Sequence, residues 1–156
     1  MKRQLFLFVA LFIGALLNAQ SVKLSNGVYV DDNGNAYTGS YIQKYETGAT
    51  KVELSVIKGQ LDGYAVYYYE SGAKMEAGNY LNGQRNGVWE SWNAAGIKVS
   101  EAAYTAGVKN GAWHVWDDNG NHRMEMFYAN GEKTGTWKMW NEAGVLISER
   151  KYTQGS

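Results

Sequence analysis

Gly87-Val88-Trp89-Glu90-Ser91-Trp92-Asn93-Ala94-Ala95-Gly96 reads as an aromatic strand running into a turn that ends on glycine. The frame returns at Gly111, Trp113, Trp116 and Gly120, and again at Gly135, Trp137, Trp140 and Gly144. The connections Asn93-Ala94-Ala95-Gly96, Asp117-Asp118-Asn119-Gly120 and Asn141-Glu142-Ala143-Gly144 suit a type I turn followed by a left-handed residue. Glycine fits that last position because it has no Cβ to clash. The flanking segments are rich in Tyr, Trp, Val and Ile, so each unit reads as a β-hairpin.

Working outward, the same ruler spans most of the chain. Gly39, Gly63, Gly87, Gly111 and Gly135 lie 24 residues apart. So do Gly48, Gly72, Gly96, Gly120 and Gly144, and so do Gly59, Gly83, Gly107, Gly131 and Gly155. Of the 19 glycines, only Gly14, Gly27, Gly34 and Gly78 fall outside these registers. Tyr80, Tyr104, Tyr128 and Tyr152 keep the period, as do Glu53, Glu101, Glu125 and Glu149. Such regularity marks a repeat array. Helix is excluded in practice, because each recurring glycine costs about 1 kcal/mol inside one.

The fold class expected is all-β: five hairpin repeats at 39–62, 63–86, 87–110, 111–134 and 135–156 forming an elongated, twisted antiparallel sheet. A lone hairpin is marginal in water, so the units must stack. Linking turns such as Asn82-Gly83-Gln84-Arg85-Asn86-Gly87 start each new unit. Residues 20–38 are expected to hold a linker and one capping strand, Leu24 to Val30. The first two units diverge, as terminal repeats do. Paired tryptophans three residues apart point to opposite faces of a regular strand. Either a bulge turns one of them inward, or both faces carry aromatics.

The chain ahead of the repeats reads as an export signal. Lys2 and Arg3 precede an apolar run from Leu5 to Leu17, with Ala19 the natural small residue for cleavage. The run is 13 residues long, against the roughly 20 needed to span a bilayer. Residues 1–19 are therefore expected to be removed, leaving an exported chain, periplasmic or extracellular, with no stable membrane insertion. Cleavage removes Phe6, Phe8 and Phe12 and leaves Phe127 as the sole phenylalanine. The core is then expected to be built largely from Trp and Tyr, with most tryptophans buried.

Composition narrows the function. Lys+Arg 15 balance Asp+Glu 15, which argues against nucleic acid as a partner. There is no cysteine, hence no disulfide, thiolate zinc site or thiol nucleophile. Glu101, Glu125 and Glu149 recur once per repeat, roughly 10 Å apart in stacked hairpins, too far for a retaining glycosidase pair. They read as acceptors for turn amides or neighbouring cations. His114 and His122 stand on opposite arms of one hairpin with Asp117 and Asp118 in its turn; two His and a carboxylate could hold a metal, but His122 fills a slot held by Lys74 and Lys98 in other units. A solvated position is expected, with no metal. Neither a Gly-x-Ser-x-Gly elbow nor a phosphate loop occurs. No enzyme and no cofactor are expected.

The pattern Asn-Gly-x3-Gly-x-Trp-x2-Trp-x3-Gly-x4-Glu-x2-Tyr-x2-Gly, fullest from Asn82 to Gly107, resembles the MORN repeat variant, found in bacterial proteins grouped as YwqK-family antitoxins. The resemblance covers roughly residues 34–156. It implies a non-enzymatic array used as a binding or scaffolding surface, and brings no catalytic residues with it. Two surfaces are the candidates. One is the tyrosine cluster Tyr64, Tyr67, Tyr68 and Tyr69, as an exposed aromatic face. The other is the last strand, about Val145 to Tyr152, whose Glu149, Arg150 and Lys151 guard an edge that can accept a protein strand or a second copy. Envelope glycan on the Trp and Tyr rows, and immunity-type toxin neutralisation, are the alternatives.

Overall fold

The computed structural model describes residues 21–153. The export signal proposed for residues 1–19 lies outside them. Twelve strands follow one another in sequence: β1 (Lys23–Ser25), β2 (Val28–Val30), β3 (Gly39–Lys44), β4 (Thr50–Ile57), β5 (Gln60–Tyr68), β6 (Lys74–Leu81), β7 (Gln84–Trp92), β8 (Lys98–Thr105), β9 (Val108–Trp116), β10 (His122–Ala129), β11 (Glu132–Trp140) and β12 (Leu146–Tyr152). Strands β3 to β12 form one antiparallel sheet in unbroken sequence order, with β3 and β12 at its open edges. Among the described residues there is no helix.

Two kinds of turn alternate. At one end, Asn93 N–H donates to Ile97 O and Gly96 N–H to Asn93 O, both at 2.9 Å, with Gly96 left-handed. The Asn93 Oδ1 also accepts the amides of Ala95 and Ile97. Asp117 and Asn141 do the same in the next two units. These side chains, not the periodic glutamates, satisfy the turn amides. At the other end, Asn82-Gly83, Ala106-Gly107 and Asn130-Gly131 are two-residue turns with positive φ at both positions, which is the type I′ geometry that matches strand twist.

The linking turn is thus shorter than the six residues expected, and Gly87 lies inside β7. One residue of β6, Gly78, faces three of β7, residues 87–89, between the pairs Ala77↔Glu90 and Asn79↔Asn86. Equivalent bulges occur at Gly63, Gly111 and Gly135. A bulge interrupts the ladder and leaves backbone groups to be satisfied by other means. The tryptophan two residues after the bulge glycine supplies the donor. Trp89, Trp113 and Trp137 donate Nε1–H to the carbonyls of Asn79, Ala103 and Phe127, each at 3.0 Å.

From Trp89 to Trp92 the pairing with β8 keeps the strand alternation, so the two tryptophan rows lie on opposite faces. Trp89, Trp113 and Trp137 share one face with the periodic tyrosines. Trp92, Trp116 and Trp140 occupy the other. The buried apolar set among the described residues is mostly aliphatic: Val30, Val52, Leu54, Val56, Ala65, Val66, Ala77, Ala102 and Met126, with Trp89 the one aromatic among them. A core of Trp and Tyr is therefore not what forms. Among the described residues nothing covers the second face of this single-layer sheet, and the other five tryptophans are half-buried.

The N-terminal segment also differs from the expected single strand. Asn26 and Gly27, both at positive φ, fold it into the β1–β2 hairpin, a separate two-stranded sheet. It does not extend the edge at β3. Instead, Tyr29 N–H donates to Gly59 O at 2.9 Å, and the Tyr29 ring meets Tyr41 at 4.9 Å. It packs against the core of Val52, Leu54, Ala65 and Trp89.

Candidate interaction surface

On the core face, each bulge tryptophan is closed off by its neighbours. The rings run Tyr104, Trp113, Tyr128, Trp137, Tyr152 with centroids 4.9–5.3 Å apart. Tyr80 meets Trp89 edge-on at 4.9 Å. A cation covers each indole: Arg85 over Trp89 at 4.1 Å, Lys109 over Trp113 at 4.3 Å and Lys133 over Trp137 at 4.6 Å. Lys109 and Lys133 also reach the next tyrosine, Tyr128 and Tyr152. Cation–π attraction strengthens as water is excluded, so these side chains hold successive repeats together. Arg85, Lys109 and Lys133 keep the 24-residue period, a signal that glycine and aromatic counting passes over.

The opposite face is more polar. A cross-strand row runs Glu90, Glu101, His114, Glu125, Lys138, Glu149 through direct register partners. Lys98 reconciles the two adjacent glutamates, donating to Glu90 and, at 2.9 Å, to Glu101. These hydrogen bonds raise the Lys98 pKa, Glu90's first and Glu101's next. Beside this row, Trp116, His122 and Trp140 make a strip, with His122 at 5.5 Å from Trp116 and 4.6 Å from Trp140. A cleft of about 630 Å³ opens next to the strip, between the last two glycine turns. His122, Trp140, Asn121 and Glu142 line it.

The four tyrosines of the second unit do not form one exposed patch. Tyr64 is exposed, at 51%. Tyr67 points to the core face, where its hydroxyl meets that of Tyr80 at 3.0 Å and its ring meets Trp89. Burial, then the Tyr80 hydrogen bond and nearby negative charge, push the Tyr67 phenol up. Tyr68 turns to the other face and donates to Glu53 at 3.3 Å. Tyr69 donates to the Trp92 carbonyl at 2.9 Å, tying two repeats as Tyr45 does through Tyr68 O.

At the far end, β12 pairs only with β11 among the described residues. Alternation places Glu149 and Lys151 on the polar face, opposite Lys138 and Thr136 of β11. Arg150 lies on the other face, over Tyr152 at 5.1 Å. Ahead of them Val145, Leu146 and Ile147 are 56%, 44% and 57% exposed. A smaller groove of about 270 Å³ runs alongside, lined by Met124, Met126, Trp137 and Met139 with Ser148 and Arg150. The strand is apolar at its start and charged in its middle.

Residues 133–154, the span of β11 and β12 with their turn, match the MORN repeat variant. The last hairpin is similar to a MORN repeat variant unit. The matched unit carries Gly135, Trp137, Trp140, Gly144, Glu149 and Tyr152, each of which recurs upstream on the same period. The array thus repeats the matched hairpin in four earlier copies, the first two altered at the tryptophan positions. No curated protein matches the chain.

Proposed function

We propose that the chain is an exported, non-enzymatic binding module that captures a protein strand along β12. The observation that carries this reading is the edge itself: a strand paired on one side among the described residues, with Val145, Leu146 and Ile147 in solvent. Strand addition draws affinity from backbone hydrogen bonds and selectivity from alternate side chains. Glu149 and Lys151, two residues apart on one face, favour an incoming strand with the complementary order of charges. The same charges discourage indiscriminate pairing. Antitoxin-grouped MORN-variant proteins, which the repeats resemble, suit such a role, with a toxin as one form of partner. Export rests on the signal-like residues 1–19.

The test is a photo-crosslinking residue at position 151 in cells expressing the full chain. A protein adduct is expected, and Arg150→Pro, which removes an edge amide, abolishes it while urea melts show an intact fold. An adduct that persists in that folded variant refutes the edge. Mass spectrometry of the exported chain gives Gln20 as the first residue; an intact Met1 refutes export by cleavage. The Trp116–His122–Trp140 strip and its adjoining cleft favour a second reading, envelope glycan bound by ring stacking, which a glycan array on the secreted chain addresses.

A further inference from the structure

The two histidines of the chain, expected on opposite arms of one hairpin in a solvated position, are brought together. His114 Nδ1 and His122 Nε2 lie 3.3 Å apart across β9 and β10. The cause is local. β10 carries an extra residue, Arg123, between the pairs His122↔Trp116 and Met124↔Val115. That bulge leaves His122 and His114 on one face, where the rings sit 5.4 Å apart beside Trp116.

We propose that His114 and His122 form a zinc-binding pair on the polar face of the fourth repeat. The distance is the first argument. Two Zn–N bonds of about 2.0–2.1 Å at the tetrahedral angle hold their nitrogens about 3.3–3.4 Å apart. A right-angle arrangement would bring them to about 2.9 Å. By contrast, 3.3 Å is long for a direct hydrogen bond between the rings, which prefers roughly 2.9–3.0 Å. Ligation needs a lone pair on each facing nitrogen, so the protons sit on His114 Nε2 and His122 Nδ1.

Charge is the second argument. His114 lies directly between Glu101 and Glu125 in the cross-strand row. One cation, Lys98, serves both Glu90 and Glu101, and Glu125, with Lys138 beside it in the register, forms no salt bridge among the described residues. The pair therefore sits in a locally negative field that attracts a cation. Among the described residues no three His, Asp or Glu side chains already converge on one point. The remaining positions on the metal fall to water or to a side chain of a bound partner, as in sites that keep open coordination. The ion would staple β9 to β10 from the face that no other element covers among the described residues. This site is independent of capture at β12.

The chain contains His 2 and Cys 0, so an untagged preparation has no other imidazole or thiolate to confuse the test. The full exported chain, stripped with chelator, is titrated with zinc chloride against a chromophoric zinc indicator. One equivalent is expected to bind the wild type, and its melting temperature to rise with zinc. His114→Gln and His122→Gln are each expected to lose that equivalent and the thermal shift, matching the double variant. Unchanged urea midpoints without zinc show that the variants still fold. Equal binding by wild type and double variant, no binding by either, or retention in one single variant overturns the proposal.

Discussion

Gly78→Ala isolates how the sheet makes room for its most buried ring. Gly78 is the one strand glycine outside the periodic registers, and its φ is not left-handed. Conformational strain is therefore not the issue. A Cβ built at Gly78 would sit 2.4 Å from Cδ2 and 2.5 Å from Cε2 of Trp89, a ring only 1% exposed. Ordinary contact begins near 3.5 Å, so the indole must lift by about 1 Å. That strains the Nε1 hydrogen bond to Asn79 O and loosens the stack on Tyr80 and Arg85. Overpacking of this kind costs about 1–3 kcal/mol, and the removal of a strand glycine returns about 0.5–1 kcal/mol. A net loss of about 1–2 kcal/mol is expected in urea melts followed by tryptophan fluorescence, with a red-shifted native emission. The next repeats support the direction: Ala102 and Met126 hold the equivalent position, and Trp113 and Trp137 are less buried than Trp89. A neutral or stabilising Gly78→Ala with unchanged emission would refute the reasoning.

Trp89→Ala is expected to cost about 3–5 kcal/mol, because the ring is buried and its N–H bonded; Trp137→Ala costs clearly less, and equal losses in denaturant melts would contradict the burial gradient. Asp117 supplies a pH test. Desolvation pushes its carboxyl up, but hydrogen bonds from Asn121, Asn119 and Arg123 outweigh it and bring it down to about 2. A lowered folded pKa stabilises above the unfolded value, near 3.9, and that contribution is lost as pH falls from about 4 to about 2. Asp117→Asn keeps the turn, as Asn93 and Asn141 show, and is expected to flatten that part of the acid transition. A transition unchanged by the substitution would show that Asp117 does not titrate with folding.

The glycine period made strand number and order legible, because each turn needs a residue free to adopt positive φ. The same property hid the bulges: Gly87 at φ 77° and Gly83 at φ 79° have the same backbone preference, yet one bends a strand and the other closes a turn. The faces of the two tryptophan rows followed from pairing on both sides of each strand, which a single segment does not encode. Asn26-Gly27 did carry a hairpin signal, and with it the β1–β2 fold was readable. At the candidate site, the exposed edge was foreseen from chain order. The histidine contact was not, since it depends on the extra residue Arg123 in β10. The contacts of Arg85, Lys109 and Lys133 with Trp89, Trp113 and Trp137 were not read from the sequence, because each pair is four residues apart on one strand and meets across a bulge.

In the large sheet every strand hydrogen-bonds only to the strands before and after it in sequence. Size is therefore an open variable of this architecture, as in a zip fastener whose teeth can be added or removed in pairs. Excising 24 residues from Gly87 to Asn110 would join β6 to β9 through turn and bulge residues of the same type. A gene of this design can lengthen or shorten its product by whole units through recombination between its own repeats. The first and last hairpins, which meet different surroundings on their outer sides, are where such drift would be felt least uniformly.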